Sequence, residues 1–142
     1  MVSPGFAETL ARLKVALLLT TYQAGKIMAM RAMEGRVSAL LRTFERPMGL
    51  ALNGDALALG TRNAVWFPRN ARDIAPQLDP RDTFDACFTP GQCHVTGNIL
   101  GHEMSCGHSP PATGCDTAPD RQPTELWVVN TRFSCLCTLH PD

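Results

Sequence analysis

R-P-M-G-L-A-L-N-G-D-A-L-A-L-G-T-R-N-A-V-W-F-P, residues Arg46 to Pro68, decides the fold, because three strand signatures and two reversals fall within it. Leu50 to Leu52 leads into Asn53-Gly54-Asp55, whose central positions tolerate the positive φ of a tight hairpin, and Ala56 to Thr61 returns antiparallel. Arg62-Asn63 makes a second reversal, and Ala64 to Phe67 is the third strand. Near the other end of the chain, E-L-W-V-V-N-T-R-F-S-C-L-C-T-L, Glu125 to Leu139, echoes the stretch. With Thr131-Arg132 laid on Thr61-Arg62, Trp127 falls on Leu57, Val129 on Leu59 and Leu136 on Trp66. Two copies of one sheet unit is the economical reading.

The rest of the composition agrees with a turn-rich β protein. The chain of 142 residues is of single-domain length, and its 11 Pro and 11 Gly favour many turns over long helices. Thirteen basic residues balance thirteen acidic ones without long blocks of either sign, so no electrostatic case for a nucleic-acid partner arises. Arg12 and Lys14 precede an apolar run, Val15 to Leu19, that is too short for a secretory signal core or a membrane span. The expected location is therefore the cytoplasm, without a membrane partner, where the six cysteines are expected as reduced thiols and not as a disulfide framework.

Upstream of the central stretch, Phe6, Leu10 and Leu13 recur at helical spacing behind Ser3 as N-cap and Pro4 at the first position, which predicts a short amphipathic helix ending near residue 14. From residue 15 the pattern is that of strands: Val15 to Tyr22, Lys26 to Ala32 and Arg36 to Phe44, divided by the turns Gln23-Ala24-Gly25 and Met33-Glu34-Gly35. Ala and Met in the middle strand have helical propensity; the Gly-bearing turns at hairpin spacing decide for strand. Lys26 follows a glycine, but the G-x-x-x-x-G-K-[ST] pattern of a phosphate-binding loop is absent. Up-and-down strands over residues 15–67 predict a four-stranded, blade-like meander of the propeller kind.

Downstream, Pro68, Pro76, Pro80 and Pro90 interrupt pairing over an irregular linker at about 68–101, in which Thr83 to Phe88 alternates as one outer strand would. Gly101-His102-Glu103-Met104-Ser105 then matches Pro47-Met48-Gly49-Leu50-Ala51, the start of the central unit. Between Cys106 and Glu125 lies an insertion, about 107–124, with the Pro, Gly and Ser content of a loop. The organisation expected is a helical segment at 1–14 and one partial propeller-like domain at 15–142.

T-T-Y-Q-A-G-K at 20–26, R-T-F-E-R-P-M-G-L-A at 42–51 and E-L-W-V-V-N-T-R-F-S-C-L-C-T-L at 125–139 resemble the signature segments of a bacterial hypothetical-protein family, the domain of unknown function numbered forty-nine fifteen. The resemblance implies a β-propeller-like fold in a chain more than twice this length, and it brings no established activity. Members read T-G-D-x-D-I-H-E where this chain has Thr96-Gly97-Asn98-Ile99-Leu100-Gly101-His102-Glu103, so two acidic positions of that motif are replaced. With the chain stopping just after Thr138-Leu139, the resemblance reads as one to an N-terminal fragment.

Candidate chemistry is sparse. His102-Glu103 opens an inner strand, where a propeller's channel begins, and suits a ligand-binding or acid/base pair, or a turn histidine bonded to backbone. Arg46 and the equivalent Arg62 and Arg132 place guanidinium groups at turns, where they hold an anionic ligand or pair with carbonyls and carboxylates of a neighbouring blade. Cys87, Cys93, His94, His102, Cys106, His108 and Cys115 form a Cys/His cluster in sequence, yet without the tight knuckle spacing of a zinc site, so neither a metal nor another cofactor is assigned. Cys135 and Cys137, two apart on a strand, face one side and pack. Ser105 and Ser134 lack a nucleophile-elbow setting, so no catalytic residue is assigned.

These residues predict an all-β, incomplete propeller-like array of about two blades acting as a non-enzymatic scaffold. Arg46, Arg62, His102, Glu103 and Arg132 would meet an unknown ligand or protein. The competing readings are a propeller hydrolase or lactonase with a channel metal, and a truncated product without function. An array stopped at this point leaves an apolar face and a strand edge uncovered, which predicts self-association through the open edge.

Overall fold

In the computed structural model, residues 3, 5–107 and 125–139 are described, and the chain divides into two compact units, Met1–Pro47 and Met48–Asp142. The first unit opens with α1 (Gly5–Leu13), whose apolar stripe turns Ala7 and Leu10 inward while Glu8 and Arg12 place their charges at the favourable ends of the helix dipole. The Phe6 N–H donates to the Ser3 carbonyl; Pro4, expected at the first helical position, lies outside the described residues. The helix stops because Lys14 takes a positive φ of 53° and the Val15 N–H reaches back to the Leu10 carbonyl, satisfying an end carbonyl as a Schellman-type cap does.

Against α1 lies a three-stranded antiparallel sheet in the order β1 (Leu17–Thr21), β2 (Lys26–Met33), β3 (Arg36–Thr43). Its second hairpin turns on Glu34 and Gly35 at φ 51° and 72°, the pair of positive values that a two-residue type I′ turn demands. That turn, with Gly25 in the first, overrides the helical propensity of Ile27 to Ala32, which pairs in register as strand, Met28 opposite Leu19 on one side and Leu41 on the other.

The second unit contains two sheets. One runs β4 (Leu50–Asn53), β5 (Ala56–Gly60), β6 (Ala64–Asn70), β7 (Phe88–Val95); the other runs β10 (Cys135–Leu139), β9 (Glu125–Asn130), β8 (Gly101–Gly107). Leu59 pairs with Trp66 and Val129 with Leu136, and Gly60 pairs with Val65 as Asn130 does with Cys135. The two hairpins thus share one register, with Leu57 and Trp127 each on the strand face opposite the core residues Ala58 and Val128. Ala51, Ala58 and Val65 of the first sheet pack on Met104, Leu126 and Val128 of the other, with β4 beside β8. Each large apolar side chain buried there contributes about 1.5–3 kcal/mol.

Two glycines make that stacking close. A Cβ at Gly49 would sit 2.7 Å from the Met104 Cγ and one at Gly60 3.3 Å from its Cε, so the thioether fills the space that two absent side chains leave. Met104 corresponds to Ala51, since it pairs with Val128 as Ala51 pairs with Ala58. The sequence match had placed it on Leu50. The one-residue difference arises at a bulge between Gly101 and Met104, where β8 carries one residue more than β9.

Two expectations change. Residues 15–67 divide between two sheets and do not form one blade; β4 starts a new sheet and takes its fourth strand from downstream. That fourth strand is Phe88–Val95, whereas residues 83–87, expected as strand from their alternation, are not strand. Pro90 is compatible because β7 is an edge strand and the register is already broken opposite it, between Phe67 and Arg69. Gly91 is required there, since a Cβ would run into the Phe67 carbonyl oxygen. The insertion expected at about 107–124 lies, beyond Gly107, outside the described residues.

The fold is all-β: an incomplete propeller-like array of antiparallel meanders with a short N-terminal helix. Among the described residues no barrel closes, and no helix is long and apolar enough to cross a membrane.

Candidate functional site

The start of β4 and the end of β5, the start of β6 and the end of β7, the start of β8, and the β9–β10 turn share one end of the two sheets in the second unit. The linker from Thr96 to Leu100 runs along that end. The Thr96 N–H donates to the Asn63 carbonyl at 2.9 Å, tying the linker to the β5–β6 turn. At its other end the Thr131 N–H and Oγ1–H both donate to the Leu100 carbonyl, at 3.3 and 2.8 Å, and the Arg132 N–H donates to that of Ile99 at 3.3 Å. The two Thr-Arg turns therefore use their threonines differently: Thr61 closes its own turn through two bonds to the Ala64 carbonyl, and Thr131 holds the linker.

Held this way, Leu100 has a φ of 50°, a left-handed conformation that bulky side chains rarely adopt. The position is the second acidic one of the T-G-D-x-D-I-H-E pattern, and Asp tolerates such backbone better than Leu. The first acidic position is Asn98, whose Oδ1 is buried without a hydrogen-bond partner among the described residues.

Immediately beyond, the β8 bulge turns two consecutive side chains outward. His102 and Glu103 are both exposed, with the His102 Nδ1 3.1 Å from the Glu103 Oε1. In a regular strand they would point to opposite faces. The bulge is what makes them a pair.

Of the other candidates, Arg132 is exposed at the turn that clamps the linker, two residues past Asn130, which pairs with Gly101. Arg62 is half-buried and already engaged within the fold, which suits the structural role open to it from sequence. Arg46 belongs to the first unit, where its Nη1 donates to the Tyr22 hydroxyl at 3.3 Å and its guanidinium carbon lies 5.6 Å from the Tyr22 ring centre. Nearby, Lys26 bonds the Thr43 hydroxyl.

No group of three His, Cys, Asp or Glu side chains that could hold a metal occurs among the described residues, and His108 and Cys115 of the sequence cluster lie outside them. Cys106 and Cys137 pack against the core cluster, and burial pushes both thiols up from their ordinary range, the neighbouring Cys135 adding to the effect at Cys137. Raised thiols are poor nucleophiles at neutral pH. Depressions of about 290 Å³ between β4 and β8, and about 350 Å³ on the β9–β10 hairpin, are lined by apolar residues mixed with small polar ones, Asn53 and Ser105 in the first and Asn130, Thr131 and Ser134 in the second.

Sequence reading missed Thr131, Asn63 and Leu100 as the groups that build this end. Their contacts join residues remote in the chain through backbone carbonyls, which leave no signature in side-chain identity. The odd φ of Leu100 is likewise silent in sequence, except as a departure from the family pattern.

Stacked four- and three-stranded meanders, with a clamped linker at one end, define the class as a propeller-like β protein with an exposed polar rim. The chain matches a family model over residues 4–142 and belongs to that family, described as a domain of unknown function (DUF4915). Neither the curated proteins nor the solved structures contain a significant match to it.

Proposed function

We propose that this protein is a non-enzymatic binding module that takes an anionic group of a ligand or protein at the rim formed by Arg132, His102 and Glu103. The observation that carries this reading is the clamp between Leu100 and Thr131. It brings the Arg132 turn to the strand start that bears His102, so little backbone freedom remains to be lost on binding. Arg132 supplies forked donors suited to a carboxylate. Glu103 engages His102 through Nδ1 and leaves Nε2 for the ligand, which makes Glu103 a positioning residue. Arg62 is half-buried and already engaged, and Arg46 is engaged with Tyr22, so neither is assigned a ligand contact.

Titration of the isotopically labelled chain with citrate, followed by amide resonances, tests the reading. Saturable shifts at Gly101 to Glu103 and Thr131-Arg132 are expected, and Arg132→Ala should weaken them about tenfold, the worth of roughly one charge-assisted hydrogen bond. Shifts that do not saturate, or that survive Arg132→Ala unchanged, overturn it. Saturable zinc binding that perturbs the His102-Glu103 pair would replace it with the metal-dependent hydrolase alternative.

A further inference from the structure

Among the described residues, positive φ values outside glycine fall on Lys14, Glu34, Arg46, Asp82, Leu100 and Ser134. Leu100 is the apolar member of that set. Lys14 ends a helix, Glu34 and Ser134 lie in hairpin turns, and Arg46 is tethered through Tyr22. Leu100 belongs to neither a helix end nor a hairpin: it sits in the linker between β7 and β8, and its side chain has no polar group that could offset the conformation by a local bond.

What holds Leu100 there is the β9–β10 turn. Its carbonyl accepts from the Thr131 hydroxyl at 2.8 Å, across 31 residues of chain, and at 3.3 Å from the Thr131 N–H. The Arg132 N–H reaches the Ile99 carbonyl, also at 3.3 Å. The hydroxyl bond is thus the shortest of the three. Thr131 and Arg132 are exposed, so water competes for all of them. The Asn98 Oδ1, buried without a partner among the described residues, is a second cost of the same arrangement. Strain, an unsatisfied acceptor and solvent-exposed bonds therefore meet within residues 96–100, while Ile99 packs against the core cluster and anchors the linker.

We infer that the contact between Leu100 and Thr131 is a latch. It exchanges between the closed form of the structure and an open form in which Leu100 relaxes to negative φ and the Thr131-Arg132 turn leaves the linker. The closed form prevails, and it alone sets Arg132 beside the strand start that carries His102. The latch rests, for its consequence, on the reading of that rim as the binding site: the fraction of closed molecules scales the affinity of the rim. Leu100 and Thr131 are positioning residues and do not touch the ligand.

Amide exchange tests the latch without any ligand. In the parent chain the Thr131 and Arg132 amides should exchange by local opening, at rates that low urea leaves unchanged, while the β9 amides follow global unfolding. Thr131→Val, which keeps the shape and loses the hydroxyl, should lower the protection of the Arg132 amide about fivefold, the worth of one hydrogen bond. Leu100→Asn, whose side chain tolerates left-handed backbone, should raise that protection in the parent and restore it in the Thr131→Val chain. Citrate affinity should follow, about fivefold weaker in Thr131→Val and recovered in the double variant. Arg132 protection that tracks β9, that Thr131→Val leaves unchanged, or that Leu100→Asn does not raise overturns the inference. If citrate fails to bind the parent, the rim reading falls and the exchange rates still decide the latch. If citrate binds the parent and Thr131→Val equally well, the latch does not govern the rim and the inference falls while the rim stands.

Discussion

Leu59 and Val129 stand at matching register positions in the two sheets of the second unit, yet Leu59 is 1% exposed and Val129 39%. Their cross-strand partners repeat the contrast, Trp66 being half-buried and Leu136 mostly exposed. Both pairs are apolar, both lie on the middle and third strands of a meander, and both face away from the core cluster. What separates them is the neighbourhood. Alternation and turn chemistry give a strand its register, whereas burial of its second face depends on what the rest of the molecule places there.

The largest expected effect comes from truncating the two positions in parallel. Leu59→Ala should cost about 2–5 kcal/mol as a cavity in a covered face, while Val129→Ala should fall within about 0.5 kcal/mol, as at ordinary surface sites. Urea unfolding at low protein concentration measures both. Equal costs would break the contrast and show that the Val129 face is covered in solution.

A smaller effect probes the face on which the two sheets are alike. Gly49→Ala pushes a methyl onto Met104 and should cost about 1–3 kcal/mol. Because the atom it meets belongs to a flexible side chain, the double change with Met104→Ala should recover part of that loss. A double variant that shows plain additivity would mean that Met104 does not rest on Gly49.

The smallest effect concerns Asp55, in the β4–β5 turn, a device with no counterpart in the described part of the other sheet. Its Oδ1 accepts from Asn70 Nδ2, Arg72 Nε and Arg72 Nη2, each at 2.7 Å. The Asn70 bond first, and then Arg72, hold its carboxyl below the ordinary 3.8. A depressed folded-state value stabilises above the unfolded value, and the contribution is lost as pH falls from about 4 through the folded value. The parent chain should therefore lose melting temperature slightly more than Asp55→Asn does on acidification below that point. Parallel acid dependence in the two proteins would remove Asp55 from the account.

Legibility of the site follows the range of the interactions that build it. The Thr-Arg turns and the strand starts were readable because glycine, asparagine and alternation act within a few residues. The His102-Glu103 pair was readable as an adjacency, but its joint exposure was not, since a regular strand would have sent the two side chains to opposite faces. Arg46, Arg62 and Arg132 look alike as arginines at turns. Only partners distinguish them: Tyr22 engages Arg46, the fold engages Arg62, and Arg132 stands exposed beside the linker.

By itself the sequence determined that the protein is all-β with a short leading helix, where its hairpins turn, and that residues 46–68 and 125–139 share one register. Each of these rests on forces between near neighbours: positive φ at Gly25, Gly35 and Gly54, alternation of apolar residues, and capping. Tertiary structure alone decided that residues 15–67 divide between two sheets, that β7 begins at Phe88, and that a bulge shifts Met104 onto the position of Ala51. It also decided which of two matching apolar pairs is buried. Those outcomes depend on contacts between segments far apart in the chain, where many partners satisfy the same local pattern and only packing selects among them.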